Sequence, residues 1–396
     1  MDQLTDIPWN VSPRLTRDPT LEAFRPLLEK NRSLITEIAK KTFKYGDTDR
    51  HFLRASTSYI IKLDIYWPPV QPTSSNGKTP ILFYVYGGGF VAGDRNSLAP
   101  FDLMLSSLGA FFARRGFITI IPDYRLAPEF KYPTPVEDIL NAIKWTLNHG
   151  SELITPTTLD PDLDSLTLAG HSAGAVHAAT SILHPTLIPL ESDLRKKIKG
   201  VVLMSGPFHF PPITEIQVFE AYYGTEKNAR EKSPLSLLLK WIDTKPKESL
   251  PKILLIEAQY EPEWIFDMGV DYQKVLEWHL GEAVLMVIGK GHNHISLICS
   301  PSSGEGEEWG VETVEWIWKN LKRVRLTAHC CQGVSAVGSG ISAGSGADTT
   351  KHTTDDECSE CHQRRNRSFT VQLGTESVSS KTFMTCINCG NKWTRI

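Results

Sequence analysis

The pentapeptide GHSAG, Gly170 to Gly174, constrains this chain more than any other stretch. It follows the apolar run SLTLA and precedes the small-residue run AVHAAT. A strand that turns at once into a helix needs a strained, tight turn, and nearby backbone must be small there. The flanking glycines and Ala173 meet that need. Ser172, on that turn, is the candidate nucleophile.

Around this turn, apolar runs alternate with helical ones. YIIKLDIYWP, TPILFYVYGGG, FITIIPDYR, IKGVVLMSGP, PKILLIEAQYE and EAVLMVIGKG read as strands. PVEDILNAIKWTLNHG and VETVEWIWKNLKRV read as helices. This alternation predicts an α/β domain with a mostly parallel sheet and helices on both faces. Residues 1 to about 55 look helical and amphipathic. Residues Gly206 to Leu250 are long for a connection and hold helical stretches such as SPLSLLLKW. With the N-terminal helices they are expected to form a helical cap over Ser172, excluding water and favouring a small or medium uncharged substrate. A formal charge of −3 gives no bulk attraction for nucleic acid or membranes. No apolar run is long enough to span a bilayer. The start, MDQLTDIPWN, has neither a basic nor an apolar leader region.

A serine nucleophile needs an oxyanion site, a base and an orienting acid. YVYGGGFVAGD, Tyr84 to Asp94, puts three glycines directly after a buried strand, where their N–H groups face a cavity. The acid is expected after the strand KILLIEAQ, where Glu261 and Asp267 are candidates. The histidine is expected after the last strand, where VIGKGHNHIS offers His292 and His294.

YGGGF, GHSAG, and Tyr124 to Glu129 (YRLAPE) followed by KYPTPVED together carry a family pattern. Over roughly residues 60 to 322 the chain resembles the hormone-sensitive-lipase-like branch of the α/β-hydrolases, with its short-chain esterases and kynurenine formamidases. The resemblance implies a serine hydrolase that cleaves carboxylic esters, or arylformamides with the same machinery, through an acyl-enzyme. It assigns the oxyanion donors to Gly88, Gly89 and Ala173. The family's acid shortly after the strand falls on Glu261, with Asp267 the runner-up, and its G-x-x-H falls on Gly291 to His294. His292 is then a supporting histidine, and His177 packs within its helix. Tyr86 replaces the usual histidine of HGGGF, a residue that braces the loop. No catalytic cofactor is implied.

Beyond the body the texture changes. The expected organisation is a hydrolase domain over residues 1–325, a Gly/Ser/Thr-rich linker over 326–355, and a small module over 356–396. From Gly333 to Asp356 the chain is too polar and glycine-rich to offset its ordering entropy. The module holds four of the seven cysteines, as two CxxC pairs: Cys358 and Cys361, then Cys386 and Cys389. Four thiolates in two knuckles satisfy tetrahedral zinc with no open position, so the metal is expected to be structural. Paired CxxC in place of disulfide spacing points to a reducing, intracellular setting: cytoplasmic, or nuclear if the module acts there.

CSECHQRRNRSFTVQL and KTFMTCINCGNKW make this tail resemble the zinc ribbon of transcript-cleavage factors and small RNA polymerase subunits. That resemblance implies a β zinc ribbon able to contact nucleic acid or RNA polymerase. The family's acidic hairpin pair corresponds to Ser377 and Val378 within GTESVS, which removes the residues that support RNA cleavage. From Glu357 to Ile396, six lysines and arginines stand against three glutamates, an excess that permits nucleic-acid contact without demanding it. Two alternatives stay open: a transcription-associated ribbon protein whose hydrolase-like body is a scaffold, and two neighbouring reading frames joined into one chain.

Overall fold

Eight strands build the sheet that carries the first unit: β1 (Lys40–Phe52), β2 (Ala55–Tyr66), β3 (Thr79–Val85), β4 (Ile118–Pro122), β5 (Pro161–His171), β6 (Ile198–Met204), β7 (Lys252–Tyr260) and β8 (Met286–Asn293). Their spatial order is β1-β2-β4-β3-β5-β6-β7-β8. β1, β2 and β4 pair antiparallel, and from β4 through β8 every pairing is parallel. The computed structural model describes residues 1–321 and 352–395, apart from 2, 3, 5, 9, 53, 54, 72–76, 159, 355, 357, 363–365, 373–379, 387 and 388. The described chain divides into two compact units, Met1–Arg325 and Leu326–Ile396.

The sheet explains the continuous apolar runs. Every residue of β3 and β4 is buried. A parallel strand covered on both faces by crossover helices has no solvent side to reserve for polar residues. Helices Met104–Arg114, Thr134–Asn148, Ala173–Leu183 and Glu263–Leu280 are among those crossovers.

One expectation changes at the N-terminus. Helices do span Pro13–Lys30 and Arg32–Thr36, but residues 40–52 form β1 instead of continuing the helical segment. Phe43 and Tyr45 are partly buried while Thr42 and Lys44 between and beside them are exposed, a period of two. Phe43 rests against Trp145, ring centroids 5.3 Å apart. The polar-apolar mix that reads as amphipathic helix is here the alternation of an edge strand.

The segment between β6 and β7 does fold as short helices, Ile216–Tyr223, Glu226–Lys232 and Pro234–Ile242. Phe219, Tyr222 and Tyr223 pack with Phe90 of the glycine loop and with Ala173 and Val176 of the helix after β5. The N-terminal helix reaches the end of β8, where the Asn293 side-chain amide donates to the Thr20 hydroxyl at 2.9 Å. Among the described residues no helix is long and apolar enough to cross a membrane.

The second unit is an antiparallel sheet of four strands, β9 (His352–Thr354), β10 (Asn366–Gln372), β11 (Ser380–Cys386) and β12 (Lys392–Arg395), in the order β12-β11-β10-β9. The sheet begins at His352, inside the stretch expected as linker. Residues 326–351 lie outside the described residues, as do the hairpin stretch GTESVS and Arg364 and Arg365. Phe369 and Phe383 face each other in register and stack at 4.8 Å. Among the described residues a sheet this small buries few apolar side chains, chiefly Val371, Phe383 and Met384 beside the cysteines. It needs a further source of stability.

Candidate active site and metal centre

The turn after β5 is as tight as its sequence demands. Ser172 stands at φ 55° and ψ −122°, a positive-φ conformation costly for a residue with a Cβ. Its N–H donates to the Met204 carbonyl of β6 at 2.8 Å, and its carbonyl accepts from Ala175 at 2.9 Å. Both glycines of GHSAG are forced by close approach. A Cβ on Gly170 would lie 2.3 Å from the Gly174 carbonyl oxygen, and one on Gly174 would lie 2.1 Å from the Val85 carbonyl oxygen. Only hydrogen fits between the elbow and β3.

The glycine loop after β3 lies against this elbow. A Cβ on Gly87 would meet the Ser172 Cβ at 2.9 Å. Gly88 has φ +139°, where a Cβ would strike the Ala92 carbonyl oxygen at 2.0 Å. Among the described residues the N–H groups of Gly88, Gly89 and Ala173 have no backbone acceptor. Three unused donors therefore lie in the two segments that adjoin Ser172. Val218 of the helical segment stands beside Gly89, 3.5 Å from where its Cβ would be.

Tyr86 braces the loop from below. Its hydroxyl donates to Asp123 at 3.0 Å, and its ring stacks on Tyr124 at 4.8 Å. Arg95 pairs with Asp123 at 3.1 Å and with Asp64 at 3.2 Å. The Tyr124 hydroxyl donates to the Tyr86 carbonyl at 2.8 Å. Next to it, Arg125 forks onto Asp138, with its closest contact at 2.7 Å. YRLAPE and the following acidic residue thus tie the loop and the adjoining helix together.

The histidine and the acid come from the ends of β8 and β7. His294 Nδ1 pairs with Glu261 Oε1, and the two residues are only 3% and 2% exposed. Asp267 lies one helical turn into Glu263–Leu280 and is exposed, so the structure does not bring it to His294. His292 has both ring nitrogens engaged, Nδ1 with the Ser296 hydroxyl at 2.9 Å and Nε2 with the Gly306 carbonyl at 2.7 Å. Burial lowers its pKa. His177 is buried in its helix against Phe90 and Tyr124, and burial brings its pKa down to about 3.

His171 is the residue that sequence reasoning missed. It immediately precedes Ser172, and its Nε2 lies 2.9 Å from the His294 carbonyl oxygen. The two rings stand 4.7 Å apart. A carbonyl can only accept, so His171 Nε2–H donates, and burial, then the neighbouring His294, holds the His171 pKa well below the usual imidazole range. The elbow and the histidine loop are thereby joined directly. His171 occupies the variable position of G-x-S-x-G, so the motif itself carries no signal for this role.

In the second unit the four cysteine sulfurs all lie within 4.8 Å of one another. Cys358 and Cys389 are 3.5 Å apart, as are Cys361 and Cys386. Tetrahedral zinc with thiolate bonds of about 2.3 Å separates its sulfurs by about 3.8 Å. The donor set and its spread fit that ion. The knuckle backbone is fixed by His362 N–H to Cys358 O at 2.8 Å and Gly390 N–H to Cys386 O at 3.0 Å.

A serine elbow under a glycine loop at the carboxyl edge of a parallel sheet is the architecture of the α/β hydrolases. Residues 82–297, more than half of the chain, match the family described as alpha/beta hydrolase fold, and the chain belongs to that family. Residues 356–394 match the family described as Transcription factor S-II, as a zinc ribbon. Esterase LipI of Mycobacterium tuberculosis is 36% identical over 115 residues, 29% of this chain and 32% of its own length. Kynurenine formamidase of Danio rerio is 24% identical over 274 residues, 68% of this chain and 80% of its own. The chain spans about a third of the length of the first two curated relatives it matches, 32% and 35%. A hyperthermophilic esterase of Pyrobaculum calidifontis superposes with a TM-score of 0.55 at 21% identity, covering 78% of this chain and 92% of that one. The carboxylesterase EstE1 from a metagenomic library gives 0.52 at 24%, covering 76% and 97%. At such identities the likeness is one of fold.

Proposed function

We propose that the first unit is a carboxylic ester hydrolase working through a Ser172–His294–Glu261 triad. The observation that carries this reading is the buried His294–Glu261 pair, tied through His171 to the strained turn that holds Ser172. In the proposed reaction Ser172 Oγ attacks the acyl carbonyl and passes its proton to His294 Nε2. Glu261 accepts from Nδ1–H and stabilises the imidazolium that results. The developing oxyanion is held by the N–H groups of Gly88, Gly89 and Ala173, which have no competing backbone acceptor. Collapse expels the alcohol, which takes the proton from His294, and leaves an acyl-Ser172 ester that water hydrolyses by the same steps reversed.

The test is Ser172→Ala assayed on p-nitrophenyl acetate and butyrate. Turnover should fall by about three to six orders of magnitude while the melting temperature stays near wild type. A loss of less than tenfold refutes the assignment. Arylformamide cleavage is the second reading, favoured by the kynurenine formamidase that aligns over 80% of its own length. Comparing kcat/KM on an aryl formamide and a matched ester decides between them.

For the second unit we propose a structural zinc held by Cys358, Cys361, Cys386 and Cys389, with a ribbon face that contacts nucleic acid or RNA polymerase. The match to the Transcription factor S-II family supports the contact. The rival reading makes the ribbon the functional part and the body a scaffold. It predicts that the body lacks turnover on every ester and formamide tried, and the same assays discriminate.

A further inference from the structure

Beneath the proposed triad lies a carboxyl group that the mechanism above does not use. Glu257 sits on β7, four residues before Glu261, and is 0% exposed. Among the described residues neither of its oxygens has a hydrogen bond of good geometry, and the Ser205 hydroxyl makes at most a weak contact with it. Glu261 shares half of that predicament: Oε1 is taken by His294, while Oε2 is buried and unpartnered. From the helix Glu263–Leu280 the group facing Glu257 is the bare backbone of Gly269, where a Cβ would lie 2.2 Å from Glu257 Oε1. From the end of β6 the group beside it is the Ser205 hydroxyl. From the end of β7 it is Glu261, with His294 beyond. No cation is among them.

Two ionised carboxylates in this space would each be desolvated, and each would repel the other. One retained proton removes the repulsion and one of the two desolvation costs. It also creates the donor that Glu261 Oε2 lacks, because a protonated carboxyl is the one form of glutamate that can donate. We infer that Glu257 is a neutral carboxylic acid whose O–H donates to Glu261 Oε2 and so fixes the carboxylate that orients His294. Burial and the Glu261 charge both push Glu257 well above the usual carboxylate range, and Ser205 pulls weakly the other way. Glu257 is on this view a positioning residue, acting through Glu261. The role rests on Glu261 being the triad acid; the neutral carboxyl itself does not.

The experiment separates those two parts on the full chain. A carboxyl whose proton is held more tightly when folded adds stability below the unfolded pKa and loses it as pH rises toward the folded one. Glutamine at 257 does not titrate. Thermal and denaturant unfolding of wild type and Glu257→Gln between about pH 5.5 and 8 should therefore show the folding constant of wild type falling about tenfold per pH unit relative to the variant. A pH-independent difference overturns the neutral carboxyl. Repeating the comparison in a Ser172→Ala background makes it independent of turnover, so it holds even if the esterase reading fails. The positioning role is read kinetically. Glu257→Gln, which keeps an N–H donor, should retain kcat within a few-fold. Glu257→Leu should lose about ten- to a hundredfold in kcat with little change in KM, as removal of an outer hydrogen-bonding support does elsewhere. Wild-type kcat in Glu257→Leu refutes the coupling to Glu261. If that variant does not fold, a Glu257→Gln loss as large as that of Ser172→Ala refutes it instead.

Discussion

Replacing Glu261 by glutamine changes one buried oxygen into an NH2 and reverses the direction of the hydrogen bond at His294 Nδ1. On the triad proposed above, Nδ1–H of the wild type donates to Oε1, which leaves Nε2 bare to take the proton of Ser172. The amide presents a donor instead, so the imidazole turns to the tautomer with its proton on Nε2 and the base is lost. If the contact were an ordinary exposed ion pair, its loss would cost no more than about 1 kcal/mol, less than tenfold in rate. But Glu261 and His294 are 2% and 3% exposed, so water cannot substitute for the missing acceptor. The wrong-tautomer cost of about 10⁴ in kcat applies, or about 5.5 kcal/mol of activation free energy. Asp267→Asn is the control. Its carboxylate is exposed and makes no contact with His294, so kcat should stay within about threefold of wild type. The assay is kcat and kcat/KM on p-nitrophenyl butyrate for both variants, with melting temperatures to confirm folding. Less than a tenfold loss in Glu261→Gln, or a greater loss in Asp267→Asn, refutes the reasoning.

His294→Ala should match Ser172→Ala in kcat, whereas His292→Ala should retain most of its turnover. The latter should instead lower the melting temperature, because it leaves the part-buried Gly306 carbonyl without this partner and strips one hydrogen bond from the buried Ser296 hydroxyl. Gly174→Ala forces a methyl to within 2.1 Å of the Val85 carbonyl, so denaturant unfolding should show a loss of about 3 kcal/mol or more, with esterase activity gone. The full chain should carry one zinc. Chelation should unfold the ribbon strands, read by loss of amide protection over residues 352–395, without changing ester turnover. A parallel loss of turnover would show that the ribbon is part of the enzyme.

Much of this protein is legible locally. Strand SLTLA, turn GHSAG and the small-residue helix after it are fixed by contacts within a dozen residues, because a tight turn excludes side chains whatever surrounds it. The two CxxC knuckles are likewise local, since each pair must place two sulfurs within reach of one ion. The position of Glu261 directly after β7 was readable for the same reason. What the chain alone left open were contacts between strand ends. His171 meets His294 across 123 residues of sequence, and no window around GHSAG contains that distance. Glu261 rather than Asp267 meets the histidine because the chain enters a helix at Glu263, and within one turn that helix carries Asp267 out to solvent. The edge strand β1 was hidden because four or five alternating residues look alike in a helix and a strand until a partner such as β2 supplies the hydrogen bonds. Glu257 is the extreme case. In sequence it is one more carboxylate in a strand, and only the closing of β6, β7 and the following helix around it leaves that carboxyl buried beside Glu261 with no well-formed hydrogen bond.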